Sequence, residues 1–412
     1  MDILEGSQST PEVLDLFGES RFISNMLRFE ASLARAQASV GLIPESAAQS
    51  IIDTCKVELF DVAKIVRESG QAGNIAISLV KSLKETVGLF NPDAVGYVHY
   101  GTTSQDVVNT ALALVTREAL ALIELDVHQA VMTLLMLAER HAAAPVLTRS
   151  FAQSASVTSF GFKCVLWAAP LVRSLQRLKS TAPHAFCVQL GGSLATQAKM
   201  NGKTHQVIVQ MAAELNLNAQ PCAWQTQRDE WVALGCEIAL LVGGLGKMAT
   251  DISLMSQFEV GEVSEPMDVP TDRLSVLLHP FRKSNAAAYT VAWAAAQQAP
   301  HRIAALLAAT PQEHNHALGH GYSELAQWPT LLMSAHDSAR AMTQALSGLQ
   351  VNTRRMRANI DTYSREVPQD VADEWFNPLL AEHAAALTLA QSPVQFKSLA
   401  ELKKSADFFV SE

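Results

Sequence analysis

The stretch Tyr97-Val-His-Tyr-Gly-Thr-Thr-Ser-Gln-Asp-Val-Val-Asn-Thr-Ala111 decides how the rest of the chain is read. It packs His99, Thr102, Thr103, Ser104, Gln105 and Asp106 into a short polar turn, and an amphipathic pattern starts straight after it. Hydroxyls and a glycine beside a helix start suit an anion, because the first backbone N–H groups of a helix have no partner within it. The same residues also make an ordinary helix cap, with Thr103 or Ser104 capping and Asp106 favouring the positive end of the dipole. On local pattern both readings stand.

Downstream of the turn, apolar residues recur at steps of three and four: Val108, Leu112, Val115, Ala119, Leu122 and Ile123, then Val131, Leu134 and Leu137. That spacing predicts one helix over 105–142. Upstream, Phe22, Met26, Phe29, Leu33 and Ala36 predict a helix over 21–41 that Gly41 ends. Further long helices are expected over 154–180, 228–257, 283–309 with a kink at Pro300, and 328–349. Helices of this size, with alanine at many apolar positions, predict an all-α fold built as a long-helix bundle. Its expected division is an N-terminal helical domain over 1–95, a central bundle over 96–349 and a short helical domain over 350–412. Apolar character on more than one helix face implies burial against other subunits. The pattern fails over 187–193 and 259–282, where Gly, Pro and Asp collect. Those segments read as loops, the usual seat of chemistry on a helical scaffold.

The chain has 412 residues, 49% hydrophobic and 17% charged, which places it among globular proteins large enough for a sizeable core. Its formal charge of −9 and lack of Lys/Arg-rich runs argue against a nucleic-acid partner. No uninterrupted apolar stretch reaches the length of a membrane span; the richest, Val232 to Met248, is broken by Glu237 and Lys247. The N-terminal Met1-Asp-Ile-Leu-Glu-Gly lacks the basic and apolar regions of a signal peptide, so a cytoplasmic location is expected. Cys55, Cys164, Cys187, Cys222 and Cys236 show no paired spacing and are expected to be reduced, buried and inert. No Gly-rich phosphate loop, His-Glu-x-x-His or Gly-x-Ser-x-Gly occurs.

Several segments occur in one order: Phe29 to Gln37, Ala72 to Ala76, Tyr97 to Thr110, Thr226-Gln-Arg-Asp229, Gly246 to Leu254, Gly261-Glu-Val263 with Glu265-Pro266, and Pro311-Gln-Glu-His314. In that order they resemble the fumarase/aspartase superfamily, and within it most of all the bacterial 3-carboxy-cis,cis-muconate cycloisomerases. The resemblance runs from about Arg21 to about Met356. It implies a homotetramer whose central bundle is completed by all four chains, with active sites shared between subunits. It implies a small anionic carboxylate substrate and no metal or organic cofactor. The reaction removes a proton alpha to a carboxylate and makes or breaks a bond beta to it. A doubly charged enolate-like intermediate then needs preorganised donors and a base poised near neutral pH. Carried over residue by residue, the resemblance implies catalytic roles for Ser104, His99, Lys283 and Ser275. It implies substrate contacts from Thr103, Arg149, Gln153, Arg228, Asn285, Asn74 and His314. For Arg228, the forked guanidinium suits a carboxylate clamp. His314 and His316 are two apart and would splay on a helix, so no metal site is expected.

The chain departs from the family in its second and third segments, and also in a shortened Gly191-Gly-Ser193, in His316 for an arginine, in Gly321-Tyr322 for a Trp-His pair and in a truncated C-terminal domain. Where close relatives read Arg-Thr-Trp-Leu-Gln-His-Ala, it has Arg149-Ser-Phe-Ala-Gln-Ser-Ala155, with Phe151 and Ser154 at the positions expected to hold a histidine acid. On the third segment Lys283 and Asn285 fit the family's Lys-x-Asn, but Leu277 and Leu278 stand where its two serines belong. This loop is longer than in relatives, which leaves Ser275 as the serine able to reach the site. His99, His279, His314, His316 and Tyr322 are replacement bases. Three readings remain: a superfamily enzyme with altered chemistry, an orthodox cycloisomerase, and a non-catalytic scaffold.

Overall fold

The computed structural model describes residues 9–265, 287–315 and 320–363. It is helical almost throughout, in the order α1 (Pro11–Leu16), α2 (Glu19–Ser39), α3 (Glu45–Thr54), α4 (Val62–Ala72), α5 (Ile75–Phe90) and α6 (Ser104–Arg140). A hairpin follows, β1 (Pro145–Ser150) and β2 (Gln153–Ser159), then α7 (Phe160–Ala185), α8 (Thr204–Leu215) and α9 (Asp229–Met255). The remaining elements are β3 (Val263–Ser264), α10 (Ala287–Ala308), α11 (His320–Ser347), β4 (Gln350–Val351) and α12 (Thr353–Tyr363).

Contacts group the chain into two compact units. Unit 1 holds the described residues within 1–120, 179–236 and 302–333; unit 2 holds those within 121–178, 237–301 and 334–412. The expected boundaries near 95 and 350 fall inside unit 1 and unit 2 respectively. The long helices α6, α7, α9, α10 and α11 each contribute residues to both.

In unit 1, α2 turns Ile23, Met26, Phe29 and Leu33 inward at helical spacing. Trp231 and Trp328 stack with ring centroids 4.2 Å apart at the centre of this unit, and Trp328 Nε1 donates to Thr116 Oγ1 at 2.8 Å. A buried indole N–H needs such a partner. In unit 2, Gly246 lies so close to α10 that an added Cβ would sit 2.3 Å from that of Ala296, which accounts for the small residues on both helices. A buried polar cluster also lies here: His336 faces Asp126 at 3.5 Å, and Arg340 Nε reaches the same carboxylate at 3.1 Å.

Four expectations need correction. The run expected as helix from 154 is strand to Ser159 and becomes helix only at Phe160. Along β2 burial rises from exposed at Gln153 to buried at Ser159, and the register passes from Pro145↔Ser159 to Ser150↔Gln153 across a two-residue turn, with a shift between Thr148 and Arg149. The last long helix begins at His320, well before Trp328, and runs through Pro329. The Thr330 hydroxyl donates to the Gln327 carbonyl at 2.8 Å, supplying a hydrogen bond beside the position where proline lacks an N–H. Cys222 is exposed, although Cys164 and Cys187 are buried as expected, and burial pushes the Cys187 thiol up to about 11. Finally, α6 and α9 are long and apolar enough to cross a membrane by length and composition, because a few charged residues do not cancel their hydropathy. About half of each apolar window, 50% and 56%, is buried within the protein.

Candidate active site

The turn at 97–106 is built around one carboxylate. Thr103 precedes the first residue of α6, and its carbonyl accepts from the Asp106 and Val107 N–H groups. Asp106 returns the favour within the first turn: its Oδ2 accepts from Thr103 N at 3.1 Å and Thr102 Oγ1 at 3.0 Å. That reciprocal arrangement satisfies donors a helix start otherwise leaves open. Three more donors arrive from far along the chain: Gln189 Nε2 at 3.0 Å, and Gly191 N and Gly192 N at 2.9 Å. The carboxylate is fully buried. Glycine is required at 191, where a Cβ would stand 2.7 Å from Gln225 Oε1 and 2.8 Å from Ala223 Cβ. At 192 the backbone is left-handed (φ 68°) and passes the Gly101 carbonyl, so a side chain there would be strained as well as crowded. The Gly191-Gly192 pair therefore brings two N–H groups onto Asp106.

This framework continues outward. Gln105 Nε2 donates to the Gln225 carbonyl at 2.9 Å, Gln225 Nε2 to the Asn315 carbonyl at 2.6 Å, and Asn315 Nδ2 to the Leu194 carbonyl at 2.9 Å. With Asp106 anchoring the inner side of the turn, the Thr103 and Ser104 hydroxyls make no hydrogen bond among the described residues and are half-buried. His99 has a left-handed backbone (φ 62°), uncommon for a residue with a Cβ, and its Nδ1 lies 2.6 Å from Glu30 Oε1. Its partner is thus a buried carboxylate rather than a backbone group.

Arg228 lies at the start of α9 in the core of unit 1. Its Nε donates to Glu324 Oε2 at 2.9 Å, its Nη2 to Glu324 Oε1, and its Cζ stands 4.6 Å from the Trp224 ring centre. The fork expected to clamp a substrate carboxylate is engaged by one from the chain itself. Asn74 caps α5, with Oδ1 accepting from Ala76 N at 2.8 Å. It lines a largely apolar cavity of about 640 Å³ together with Phe17, Phe22, Gly73 and Tyr322. The Tyr322 hydroxyl donates to the Gly73 carbonyl. His314 is exposed with φ 47°.

In unit 2, Arg149 stands on β1 and makes a forked pair with the fully buried Glu262, at 2.9 and 2.7 Å. Asn359 Nδ2 adds a third donor to Glu262 at 2.8 Å. Gln153 is exposed at the start of β2, and with Arg149 and Tyr363 it lines a cavity of about 540 Å³. Between them Phe151 and Ala152 form a turn with φ 51° and 59°, which leaves Phe151 98% exposed. Lys283, Asn285 and Ser275, with His279 and His316, lie outside the described residues.

Glu30, Glu324 and Gln189 in unit 1 and Glu262 in unit 2 are partners of the expected site residues or of their turn that sequence reading missed. Each is an ordinary polar residue whose partner lies far along the chain. Elsewhere in unit 2, burial raises the Glu265 carboxyl above the usual range, while a hydrogen bond from the Tyr289 backbone opposes this.

The comparisons agree with the resemblance to the superfamily. A family model described as a lyase matches residues 5–271. The 3-carboxy-cis,cis-muconate cycloisomerase of Pseudomonas putida is 36% identical over 353 residues, covering 86% of this chain and 83% of that one. The nitrosuccinate lyase of Streptomyces davaonensis is 32% identical over 400 residues, 94% of this chain and 84% of the relative. The solved structure of 3-carboxy-cis,cis-muconate lactonizing enzyme from Pseudomonas putida superposes with a TM-score of 0.82 at 33% identity, covering 99% of this chain and 88% of that one. In sequence, helical architecture and motif order, the chain belongs to the lyase family of the fumarase/aspartase superfamily, a family of enzymes.

Proposed function

We propose that this enzyme acts on a small di- or tricarboxylate by taking a proton alpha to one carboxylate and making or breaking a bond at the beta carbon. The observation that carries this reading is the divided turn: Asp106 holds the scaffold, while the Thr103 and Ser104 hydroxyls at the start of α6 make no hydrogen bond among the described residues. Two free hydroxyls at the positive end of a 37-residue helix favour a carboxylate over any cation or neutral group. Both named relatives act on molecules that carry more than one carboxylate.

In the proposed step the C–H electron pair passes into the adjacent carboxylate, which becomes an aci-carboxylate, and the proton passes to the base. In an elimination the beta bond then breaks with its electron pair leaving on the departing group. Ser104 and Thr103 hold a carboxylate, Lys283 and Asn285 donate to the carbanion, and Gln153 orients the substrate. The chemistry is repurposed, because Phe151 and Ser154 supply no histidine acid and the loop serines are displaced. His99 then carries the proton, with Ser275 the remaining serine of the catalytic set. The assembly is a cytoplasmic homotetramer that shares its active sites between subunits.

Calorimetry with succinate and fumarate tests the reading. Wild type binds, and Ser104→Ala or Lys283→Ala weakens binding by about 1.5–3 kcal/mol, the scale of a hydrogen bond to a charged group. Absence of binding, or equal binding by the variants, overturns it. The 36% identity to the Pseudomonas putida enzyme favours a second reading, orthodox cycloisomerisation. Rapid loss of 3-carboxymuconate absorbance would select that reading over repurposed chemistry.

A further inference from the structure

Glu30 lies in the apolar stripe of α2, one turn after Met26 and three residues before Leu33, and its side chain is 1% exposed. A carboxylate at such a position is costly unless its charge and both oxygens are satisfied. Oε1 faces His99 Nδ1 at 2.6 Å, and Oε2 has no hydrogen-bond partner among the described residues. The partner is itself constrained: His99 holds a left-handed backbone (φ 62°) between Val98, which is buried, and Gly101, whose added Cβ would meet Met200 at 3.2 Å. Nearby, Gln37 Nε2 fixes the same turn by donating to the Tyr100 carbonyl at 2.7 Å. A buried carboxylate served by one imidazole, and that imidazole on strained backbone, are two local penalties at one contact. Such penalties persist where a surrounding structure is organised for function rather than for stability alone.

The chemistry of the pair is specific. An ionised carboxylate can only accept, so with Glu30 charged the nitrogen facing it carries the proton, and a neutral ring is then held as its Nδ1–H tautomer. The lone pair is then on Nε2. The imidazole is 16% exposed, so the ring is neither sealed in the core nor free to reorient in solvent.

We infer that Glu30 is a positioning residue for His99, fixing the imidazole tautomer so that Nε2 is the atom that accepts and returns the substrate proton. This rests on the carboxylate-lyase reading given above. On proton abstraction the C–H bond breaks, a bond forms between that proton and Nε2, and the ring becomes an imidazolium whose charge the Glu30 carboxylate offsets. On return, the Nε2–H bond breaks and the proton passes to the leaving group or product carbon, restoring the neutral ring. Glu30 itself neither gains nor loses a proton, the role a buried acid plays behind a catalytic histidine. It touches no substrate and acts only through His99.

The test uses the full chain in two arms. In the first, diethyl pyrocarbonate modification of His99 is followed by peptide mass analysis at pH 7, with the exposed His205 as internal control. Glu30→Gln, close in shape but uncharged, slows His99 modification at least fivefold and leaves His205 unchanged, while Glu30→Asp restores at least half of the wild-type rate. In the second, turnover is measured on a carboxylate that wild type processes. Glu30→Gln lowers kcat at least thirtyfold with KM within threefold of wild type, and Glu30→Asp recovers part of the loss. Unchanged His99 reactivity in Glu30→Gln, with circular dichroism matching wild type, overturns the inference. So does an equal loss in Glu30→Asp and Glu30→Gln, which would mark a purely structural role. The first arm needs no substrate, so it decides the Glu30–His99 pairing even where the carboxylate reading fails.

Discussion

Arg228 and Arg149 each grip a glutamate through a forked pair of hydrogen bonds, yet the two pairs differ in how far they are buried. Arg228 is 2% exposed with the Trp224 and Trp231 rings beside its guanidinium, and among the described residues Glu324 is the anion that answers its charge. Arg149 is 35% exposed at the edge of a hairpin, and the buried member of that pair is Glu262, which also accepts from Asn359. In the first pair both ions are sealed in; in the second only the anion is. The difference teaches that matching a family motif does not fix what a motif residue contacts. A clamp-like arginine can be spent inside the fold, and its neighbours decide whether any donor is left for a ligand.

The sharpest way to break this comparison is to remove the anions. Glu324→Ala leaves a charged guanidinium buried beside two indoles and is expected to cost about 3–5 kcal/mol, read from the shift in denaturant midpoint. Glu262→Ala frees Arg149 to turn toward solvent, and the expected cost is smaller, about 1.5–3 kcal/mol, from the lost hydrogen bonds between charged groups. Equal costs would erase the distinction. The smallest effect concerns the hairpin that carries Arg149. Phe151→Gly removes a Cβ from a left-handed position and a fully exposed ring, so a gain of about 1 kcal/mol is expected, visible as a higher Tm. A loss instead would mean that the exposed ring is held by another surface.

Much of the helical architecture was legible because period and length were both strong. The helix from Ser104 to Arg140 needed only its apolar spacing and the polar turn before it. The hairpin was not legible, since a two-residue turn with both positions left-handed is normally signalled by Asn-Gly, and here Phe151-Ala152 fills it. The start of the last long helix was hidden by Pro329, which reads as a boundary but is accommodated beside the Thr330 hydroxyl. In the site, the polar character of the turn was evident, yet its division of labour was not. Asp106 could be read as a dipole partner, but nothing local announces Gln189, Gly191 and Gly192 as its donors. Glu30 and Glu324 were equally silent: their partners lie 69 and 96 residues away, and one sequence carries no record of such pairing.

The Asp106 carboxylate has a consequence for how the chain folds. Two of its five donors come from its own turn, and three come from residues more than 80 positions later. Until that distant strand of chain arrives, the first turn of α6 has an anion only partly satisfied, and water must serve in its place. The loop to be closed is long, and its entropy must be met before the three bonds form. The polar turn at 97–106 is therefore assembled by a late, long-range event, while the helix that it begins can propagate early from local contacts alone.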